Sequence, residues 1–408
     1  MPRSGLNGPI RKYGGIMTSR RLLLAIRFQY FLYFGVLGIY LPYFNLYCYH
    51  LGFNGAQIGI LSAVRSVVMV IFSLAWGFLA DRFQRRWTIY ILCSAVSTLI
   101  WIFFLFTGDF WPMLMITVAY VAFYAPIISF LEAFTMDQLA YRKEIYGTVR
   151  VWGSIGFILV VIGLGRAMDF FPIRLTVVLI LVGSLLQAVG ALRMPGSTSD
   201  RLPFRHPSFG SLLNRRVILF LSSGFLMLVS HGAYYGFFSI HLENLGYSRT
   251  FIGLAWAVAS LAEILIMVKS ELIFKRYALE KVLVFSFAVA ALRWILLYFA
   301  RAPVLILSSQ VLHAVTYGTF HIASILCIDR LAPKQAKTIG QAVNNAVQYG
   351  LGLMVGFFLN GFLYERIGSA ALFLMSAGIA IVGGALFWGG TRLGTGSLGN
   401  GDKPVINH

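Results

Sequence analysis

Twelve apolar runs, each twenty residues or longer, constrain this chain more than any single motif does. They fall at roughly 22–50, 55–80, 87–107, 112–138, 146–166, 174–194, 216–244, 249–274, 281–301, 303–331, 338–364 and 369–391. A helix of that length crosses about 30 Å of hydrocarbon. In that medium every backbone N–H and C=O needs a partner within the protein, and a helix supplies it internally. The runs do not alternate in strand-length segments, which excludes a transmembrane barrel. Composition agrees. Hydrophobic residues make up 59% of the chain and charged residues 12%, against about one quarter charged in soluble domains. The expected fold class is all-α integral membrane.

The net charge of +19 would point to nucleic acid in a soluble protein. Here the placement of the charge decides. Arg82, Arg85, Arg86, Arg142, Lys143, Arg193, Arg201, Arg205, Arg215, Arg216, Lys275, Arg276, Lys281, Arg330, Lys334 and Lys337 fall in alternate loops, and both termini add more. The intervening loops hold Arg166, Arg174, Arg249, Arg301 and Arg366. By the positive-inside rule the rich set is cytoplasmic, with both termini on that side. Anionic membrane lipid is then the partner of the basic excess, and no nucleic acid is expected. Residues 1–21 and 393–408 read as cytoplasmic tails. The Pro-, Ser- and Arg-rich stretch 195–215 reads as a cytoplasmic linker between bundles at 22–194 and 216–392. Cys48, Cys93 and Cys327 lie in apolar runs without metal-ligand spacing and read as packing residues. The first run is too long for a signal-peptide core and lacks a small-residue cleavage site, so it reads as a retained helix.

The two halves repeat. Gly38-x-Tyr40, Phe44, Leu51-Gly52-Phe53 and Ile58-Gly59 match Gly232-x-Tyr234, Phe238, Leu245-Gly246-Tyr247 and Ile252-Gly253, all at one offset (232 − 38 = 194). Met136-Asp137-Gln138-Leu139-Ala140 is echoed by Ile328-Asp329-Arg330-Leu331-Ala332 (328 − 136 = 192). Two six-helix bundles related by a parallel repeat, with a site between them near the midplane, form a known transporter plan. Between runs two and three stands Gly77-Phe-Leu-Ala-Asp81-Arg82-Phe-Gln-Arg85-Arg86. It resembles the Gly-x-x-x-Asp-Arg-x-Gly-Arg-Arg signature of the major facilitator superfamily, with Gln84 replacing a turn glycine. The resemblance implies the major facilitator fold of 12 transmembrane helices. It also implies a gating role for Gly77, Asp81, Arg82, Arg85 and Arg86, with Gly77 permitting close helix approach. The stretch also reads as an ordinary basic loop.

Arg65, Glu132, Arg150, Glu263, Arg293, His313 and His321 sit inside otherwise apolar runs. A charge at bilayer depth costs on the order of several kcal/mol and persists only facing a bundle interior or a wet cavity. Glu132 and Arg150 flank one short loop and reach the same depth from adjacent runs. Glu263, Arg293 and His313 lie well into runs eight, nine and ten, and at about 1.5 Å per residue all three reach mid-bilayer. An acid, a guanidinium and an imidazole at one depth form a candidate proton site. Desolvation favours a neutral acid and a neighbouring guanidinium favours its anion, so moving the guanidinium moves the proton. Both sets read equally as static ion-pair networks.

Both sets also resemble the lactose permease branch of the superfamily. The resemblance implies substrate contact for Glu132 and Arg150, and binding with proton coupling for Glu263, Arg293 and His313. Two positions depart from that branch. Its carboxylate three residues after the histidine is Thr316 here, and run seven carries His231 and His241 in place of aspartates. Glu263 is then the group expected to carry the proton, with His313 tuning or relaying. The second half carries His231-Gly-Ala-Tyr234-Tyr235-Gly-Phe, Leu254-Ala-Trp256, Ala262-Glu263-Ile264, Arg293-Trp294, Leu312-His313 and His321. It is similar to the bacterial 3-phenylpropionic acid transporter family, and the likeness runs from about residue 27 to 390. This implies proton-coupled uptake of an aromatic carboxylate across a bacterial inner membrane.

The ingredients for such a substrate are present. Arg65 has no acid in its own run, and a guanidinium suits a carboxylate bidentately. Tyr40, Tyr43, Asn45, Tyr234, Tyr235, Phe238 and Trp256 are candidates for an aromatic, hydrogen-bonding pocket. Arg65 reads equally as the partner of Glu132, and the aromatics as packing. His231, His241 and His321 read as core histidines. Nothing resembles an activated nucleophile, a metal cluster or a nucleotide loop. The expected coupling ion is a proton, with no cofactor, and the expected functional unit is a monomer. A sugar or nucleoside symporter, an exporter of amphipathic compounds, and a sensor or lipid-handling protein on the same fold are the alternative readings.

Overall fold

The computed structural model describes residues 20–139, 145–194, 214–333 and 336–394, and among them the secondary structure is helical throughout. The expected tails before residue 20 and after 394, the linker 195–213, and Arg142, Lys143 and Lys334 lie outside the described residues. The first half holds α1 (Arg20–His50), α2 (Gly55–Phe83), α3 (Arg86–Trp101), α4 (Phe110–Tyr124), α5 (Pro126–Leu139), α6 (Tyr146–Met168) and α7 (Leu175–Ala191). The second holds α8 (Arg215–Ser230), α9 (Gly232–Asn244), α10 (Arg249–Val268), α11 (Ser270–Arg276), α12 (Leu279–Phe299), α13 (Pro303–Val311), α14 (Phe320–Leu331), α15 (Lys337–Asn345) and α16 (Leu353–Gly394).

Among the described residues, ten stretches are long and apolar enough to cross a bilayer. Two of the twelve expected runs do not stand among them as separate spans. Leu175–Ala191 is apolar but has 17 residues. The last two runs form one stretch, Lys337–Arg392, that kinks at Gly368, whose φ of 73° only glycine adopts without strain. Within single spans, Pro126 interrupts the ladder between α4 and α5 because it has no N–H to donate. Two π-helical stretches, Ala314–Thr319 and Ala346–Gly352, join α13 to α14 and α15 to α16.

The internal repeat is written into the turns. Gly52 and Gly246, 194 residues apart (246 − 52), both take the left-handed conformation, at φ 87° and 84°. Asn54 and Ser248, again 194 apart (248 − 54), both cap the next helix by accepting from the backbone N–H three residues on. So α1 ends and α2 begins in the same geometry as α9 ends and α10 begins.

Within the first half α1 packs on α6 and α7, and α3 on α4 and α7. Within the second, α16 packs on α8 and α12. The halves meet where α2 lies on α16, α6 on α10, and α1 on α9. Repeat-related glycines line two of these seams. A Cβ on Gly59 would stand 2.6 Å from the Phe357 carbonyl and 2.8 Å from Gly361 Cα. A Cβ on Gly253 (59 + 194) would stand 2.6 Å from the Tyr43 hydroxyl, which itself donates to the Val161 and Arg249 carbonyls. No side chain fits at either crossing, and backbone meets backbone there.

Polar contacts between the halves gather at the face that carries Gly52. His50 Nε2 lies 2.7 Å from Glu243 Oε2, and Glu243 Oε1 lies 3.6 Å from Arg249 Nε. Asp169 accepts from the Arg249 amide and the Thr250 hydroxyl, and the Arg249 guanidinium donates to the Met168 carbonyl. The Gly55 amide donates to Glu365 at 2.8 Å. At the opposite face, which carries Arg86, a Cβ on Gly77 or Gly147 would meet nothing within 4 Å. The close approach expected of Gly77 is therefore not made among the described residues. Among the described residues, the polar contacts between the halves close the Gly52 face.

Gly361→Leu tests the seam. Overpacking of this kind costs about 1–3 kcal/mol, here charged to the shut conformation. A cysteine placed at Asn45 should then react several-fold faster with an impermeant maleimide from the Gly52 side. An unchanged rate would show that the glycine contact does not hold that face closed.

Candidate functional site

Apart from His321, the ionisable residues of the apolar runs fall into three groups. In the first, the Arg65 guanidinium lies over the Tyr40 ring at 4.4 Å. Tyr40 is backed by Phe44 at 4.6 Å and by the edge of Trp101. Among the described residues Arg65 forms no ion pair, with Glu132 or any other acid. A cation over an aromatic face gains electrostatic attraction but keeps its hydrogen-bond donors free.

In the second group, Arg150 Nε stands 3.9 Å from Glu132 Oε1, and Tyr146 donates to the same carboxylate at 3.4 Å. Arg150 also lies 3.9 Å from the Phe34 ring centroid. The side chains of Glu132 and Arg150 are 45% and 31% exposed. This pair is loose and open, and pairs of that kind contribute little to stability.

The third group is in the second half and is built differently. Arg293 is completely buried. It donates to the Ser309 carbonyl at 2.9 Å, His313 Nδ1 at 3.0 Å, Thr316 Oγ1 at 3.3 Å and Gln310 Oε1 at 3.3 Å. Its guanidinium is sandwiched by Tyr234 at 4.2 Å and Trp294 at 4.6 Å. Every one of these partners is neutral. Glu263, expected as the partner of Arg293, does not touch it. The carboxylate lies 4.0 Å from His313 Nε2, so the imidazole stands between acid and guanidinium. A guanidinium only donates, so His313 Nδ1 must carry the lone pair and Nε2 the hydrogen, which points toward Glu263. Gly318 makes this meeting possible, since a Cβ there would stand 3.1 Å from Glu263 Cγ. Arg150 of the first half lies near enough for its charge to act on Glu263.

The aromatic candidates separate. Tyr234 donates to Gln310 Oε1 at 3.0 Å and is buried, as is Trp256, whose indole donates to Ser239. Both lie behind Tyr235, which remains half-buried. Asn45 does not point to a free pocket in this conformation. Its amide donates to Ser62 and to the Gly236 carbonyl, which ties α1 to α9. Of the core histidines, His231 bonds the Met227 carbonyl, His241 bonds Ser369, and His321 bonds the Tyr349 hydroxyl at 2.6 Å.

At the Arg86 face the signature residues form a network. Arg86, itself buried, donates twice to Asp81, the shorter bond being 2.6 Å, and approaches Asp137 at 4.0 Å. This joins the ends of α2, α3 and α5. Gln84 occupies the left-handed region at φ 51°, the conformation for which the superfamily signature carries glycine. Arg82 and Arg85 are exposed. Asp137 was not among the expected site residues, although the repeat marks it. Its counterpart Asp329 (137 + 192) accepts from Lys337 at 2.6 Å. Gln310, Tyr317 and Tyr349 were also missed. For Tyr317 the signal is spacing, midway between His313 and His321 on one helix face.

Comparison with known proteins sets this geometry in a family. Over 373 residues the chain is 26% identical to a protein of Escherichia coli (strain K12) named probable 3-phenylpropionic acid transporter. That match covers 88% of this chain and 95% of the relative. Over 363 residues it is 25% identical to the maltose permease of Geobacillus stearothermophilus, covering 87% and 91%. The fold is similar to the crystal structure of the nucleoside transporter NupG, with a TM-score of 0.77 at 18% identity over 91% of this chain and 99% of that one. It is also similar to a bacterial homologue of the human lysosomal transporter Spinster in an inward-facing, unoccupied conformation. There the TM-score is 0.69 at 13% identity, over 93% and 98%. Residues 23–375 match the MFS_1 like family. With that match covering most of its length, the chain belongs to the MFS_1 like family, a membrane-transporter branch of the major facilitator superfamily.

Proposed function

We propose that this protein is a proton-coupled symporter of a small organic acid, by likeness an aromatic carboxylate, working by alternating access. The observation that carries the reading is Arg65, a cation inside an apolar span with an aromatic face and, among the described residues, no acid partner. Such a group is a ready receptor for a carboxylate flanked by an aryl ring. The relative named for 3-phenylpropionic acid supports the same class.

Glu263 is the proposed proton carrier. Its side chain is 22% exposed, and among the described residues it stands 4.0 Å from His313 Nε2. A proton on Glu263 would remove an uncompensated buried charge, and that favours movement of the loaded carrier. Arg293 acts through His313 rather than by direct pairing, because its four hydrogen bonds are already directed to neutral acceptors. The charge of Arg150 in the other half acts on Glu263, so rocking of the bundles would change the field on the acid. The asymmetry of basic loops supports a cytoplasmic Arg86 face. In this reading the carrier works as a monomer in a bacterial inner membrane, with lipid as its surroundings and the proton as coupling ion. Relatives named maltose permease and nucleoside transporter favour a second reading, a sugar or nucleoside as the solute.

The test uses purified protein in lightly buffered proteoliposomes, with protein-free vesicles as the control for passive entry of weak acids. Protein-dependent alkalinisation of the medium on addition of 3-phenylpropionate is expected. A signal with maltose or a nucleoside instead would move the solute to the second reading. Glu263→Gln should abolish accumulation against a gradient yet permit exchange of preloaded solute, and accumulation at the wild-type level would remove Glu263 from the coupling. Arg65→Gln should weaken binding of the acid by about 10- to 100-fold, the range for loss of hydrogen bonds to a charged group. Equal affinity in the variant would leave Arg65 a packing residue.

A further inference from the structure

A groove on the outer side of the second half takes no part in the reading above. It lies between α12 and the last part of α16 and encloses about 280 Å³. Val284, Ala288 and Ala291 line it from α12, and Ile381, Ala385 and Trp388 from α16. All six are apolar. Phe287 closes the floor by packing into α16 where glycine leaves room, since a Cβ on Gly384 would stand 2.9 Å from Phe287 Cβ. Ala288, Ile381 and Trp388 are exposed along the open side. The close neighbours of α12 are α13, α14, α16 and the first π-helical stretch, all in the second half. The groove therefore opens toward lipid and away from the seam with the first half.

The two ends of the groove differ. Helix α10 starts at the Gly52 face and ends across the membrane, so α12, which follows, starts at the Arg86 face, and the end of α16 returns to that face. The lining residues of α12 cover about 10 Å of helix, against about 15 Å for one leaflet of hydrocarbon. The groove thus runs from near the Arg86 face toward the bilayer middle. Lys281 stands three residues before Val284, and Arg392 four after Trp388. Those spacings keep each cation on the groove side of its helix, one turn nearer the Arg86 face. The Arg392 guanidinium lies over the Trp388 ring at 3.9 Å, which places it at the mouth of the groove. Lys281 is exposed, and the acid beside it, Glu280, pairs with Arg330 at 3.2 Å. Arg215 and Arg216 open α8, which packs on α16, and add to the positive charge at this face.

We infer that this groove binds an anionic phospholipid from the leaflet at the Arg86 face. One acyl chain lies between α12 and α16, and the phosphate meets Lys281 and Arg392. Such binding is independent of the solute and of proton coupling. The chemistry selects the occupant. A soluble anion has no use for an apolar groove, and a zwitterionic lipid presents its own cation to the two already there. Basic pockets between spans suit anionic head groups. The long stems of Lys and Arg can lie along the lipid tail while their charges reach the phosphate. A second copy of the chain, docked on this groove by two-fold symmetry, would bring its own Lys281 and Arg392 against these, a contact between like charges.

Native mass spectrometry of the full chain in detergent provides the test. The probes are palmitoyl-oleoyl phosphatidylglycerol and palmitoyl-oleoyl phosphatidylethanolamine, which share their tails and differ in net charge. Tighter binding of phosphatidylglycerol is expected. Lys281→Gln and Arg392→Gln should each weaken it about fivefold, the strength of one cation near anionic lipid, and leave phosphatidylethanolamine within about twofold. Ala288→Phe fills the groove from its exposed edge and should remove the tight binding of phosphatidylglycerol. Arg82→Gln combined with Arg85→Gln takes two exposed cations from the other half at the same face and should leave that binding unchanged. Equal binding of the two lipids by the wild type would overturn the inference. So would a phosphatidylglycerol preference that survives either the charge variants or Ala288→Phe. Equal weakening in the Arg82 and Arg85 variant would assign the preference to diffuse surface charge and overturn it too. Dimers that Ala288→Phe disperses would give the groove to a second copy of the chain instead.

Discussion

A guanidinium buried at bilayer depth must be satisfied without water, and the second half is organised around that requirement. Among the described residues, Arg293 finds no anion. Its charge is spread over a carbonyl, an imidazole nitrogen, a hydroxyl and a side-chain amide, with an aromatic ring on either side. Satisfying a charge with neutral dipoles leaves the nearest acid uncommitted. Glu263 is therefore free to respond to whatever enters the space between the halves. Had the two formed a direct pair, neutralising the acid would have stranded a buried cation, which is among the costliest changes a protein interior can undergo. Interposing His313 separates the two events.

The seam between the halves obeys a different rule, set by sterics. At the Gly59–Gly361 and Gly253–Val161 crossings, backbone lies against backbone with no room for a methyl group. Small residues at helix crossings allow close packing in a medium where the hydrophobic effect does not drive helices together. Around those crossings the Gly52 face adds hydrogen bonds and ion pairs that are partly wet and therefore individually weak. Weak contacts suit a face that must open again. The tight crossings give position, and the polar contacts give a reversible latch.

Much of this was legible in the sequence, for definite reasons. The apolar runs report helices because hydrocarbon tolerates little else. The offset of 194 lands on turn glycines and capping residues because a turn's conformation dictates its residue types. The depth of Glu263, Arg293 and His313 follows from the fixed rise of a helix. Facing directions were not legible. A helix that is apolar all round carries no amphipathic signal to say which side meets a neighbour. Sequence position alone therefore could not place Trp256 behind Tyr235, join Asn45 to Gly236, or insert His313 between Glu263 and Arg293. The π-helical stretches add to this, since each shifts the register by one residue and re-aims everything beyond it. Gln310, Tyr317 and Tyr349 all sit in or beside such stretches.

The matched turns at Gly52 and Gly246 have a mechanical consequence. Each is fixed on one side by a left-handed glycine and on the other by a side-chain cap, so neither behaves as a slack hinge. A stiff corner passes torque from one helix to the next. The carrier then behaves as a lever with two stops, and its ends cannot be set independently. An inhibitor wedged between the halves at the Arg86 face would clamp the far end shut from more than half a membrane away. Its effect on solute arriving at the Gly52 face would be noncompetitive, although the two molecules serve one pathway.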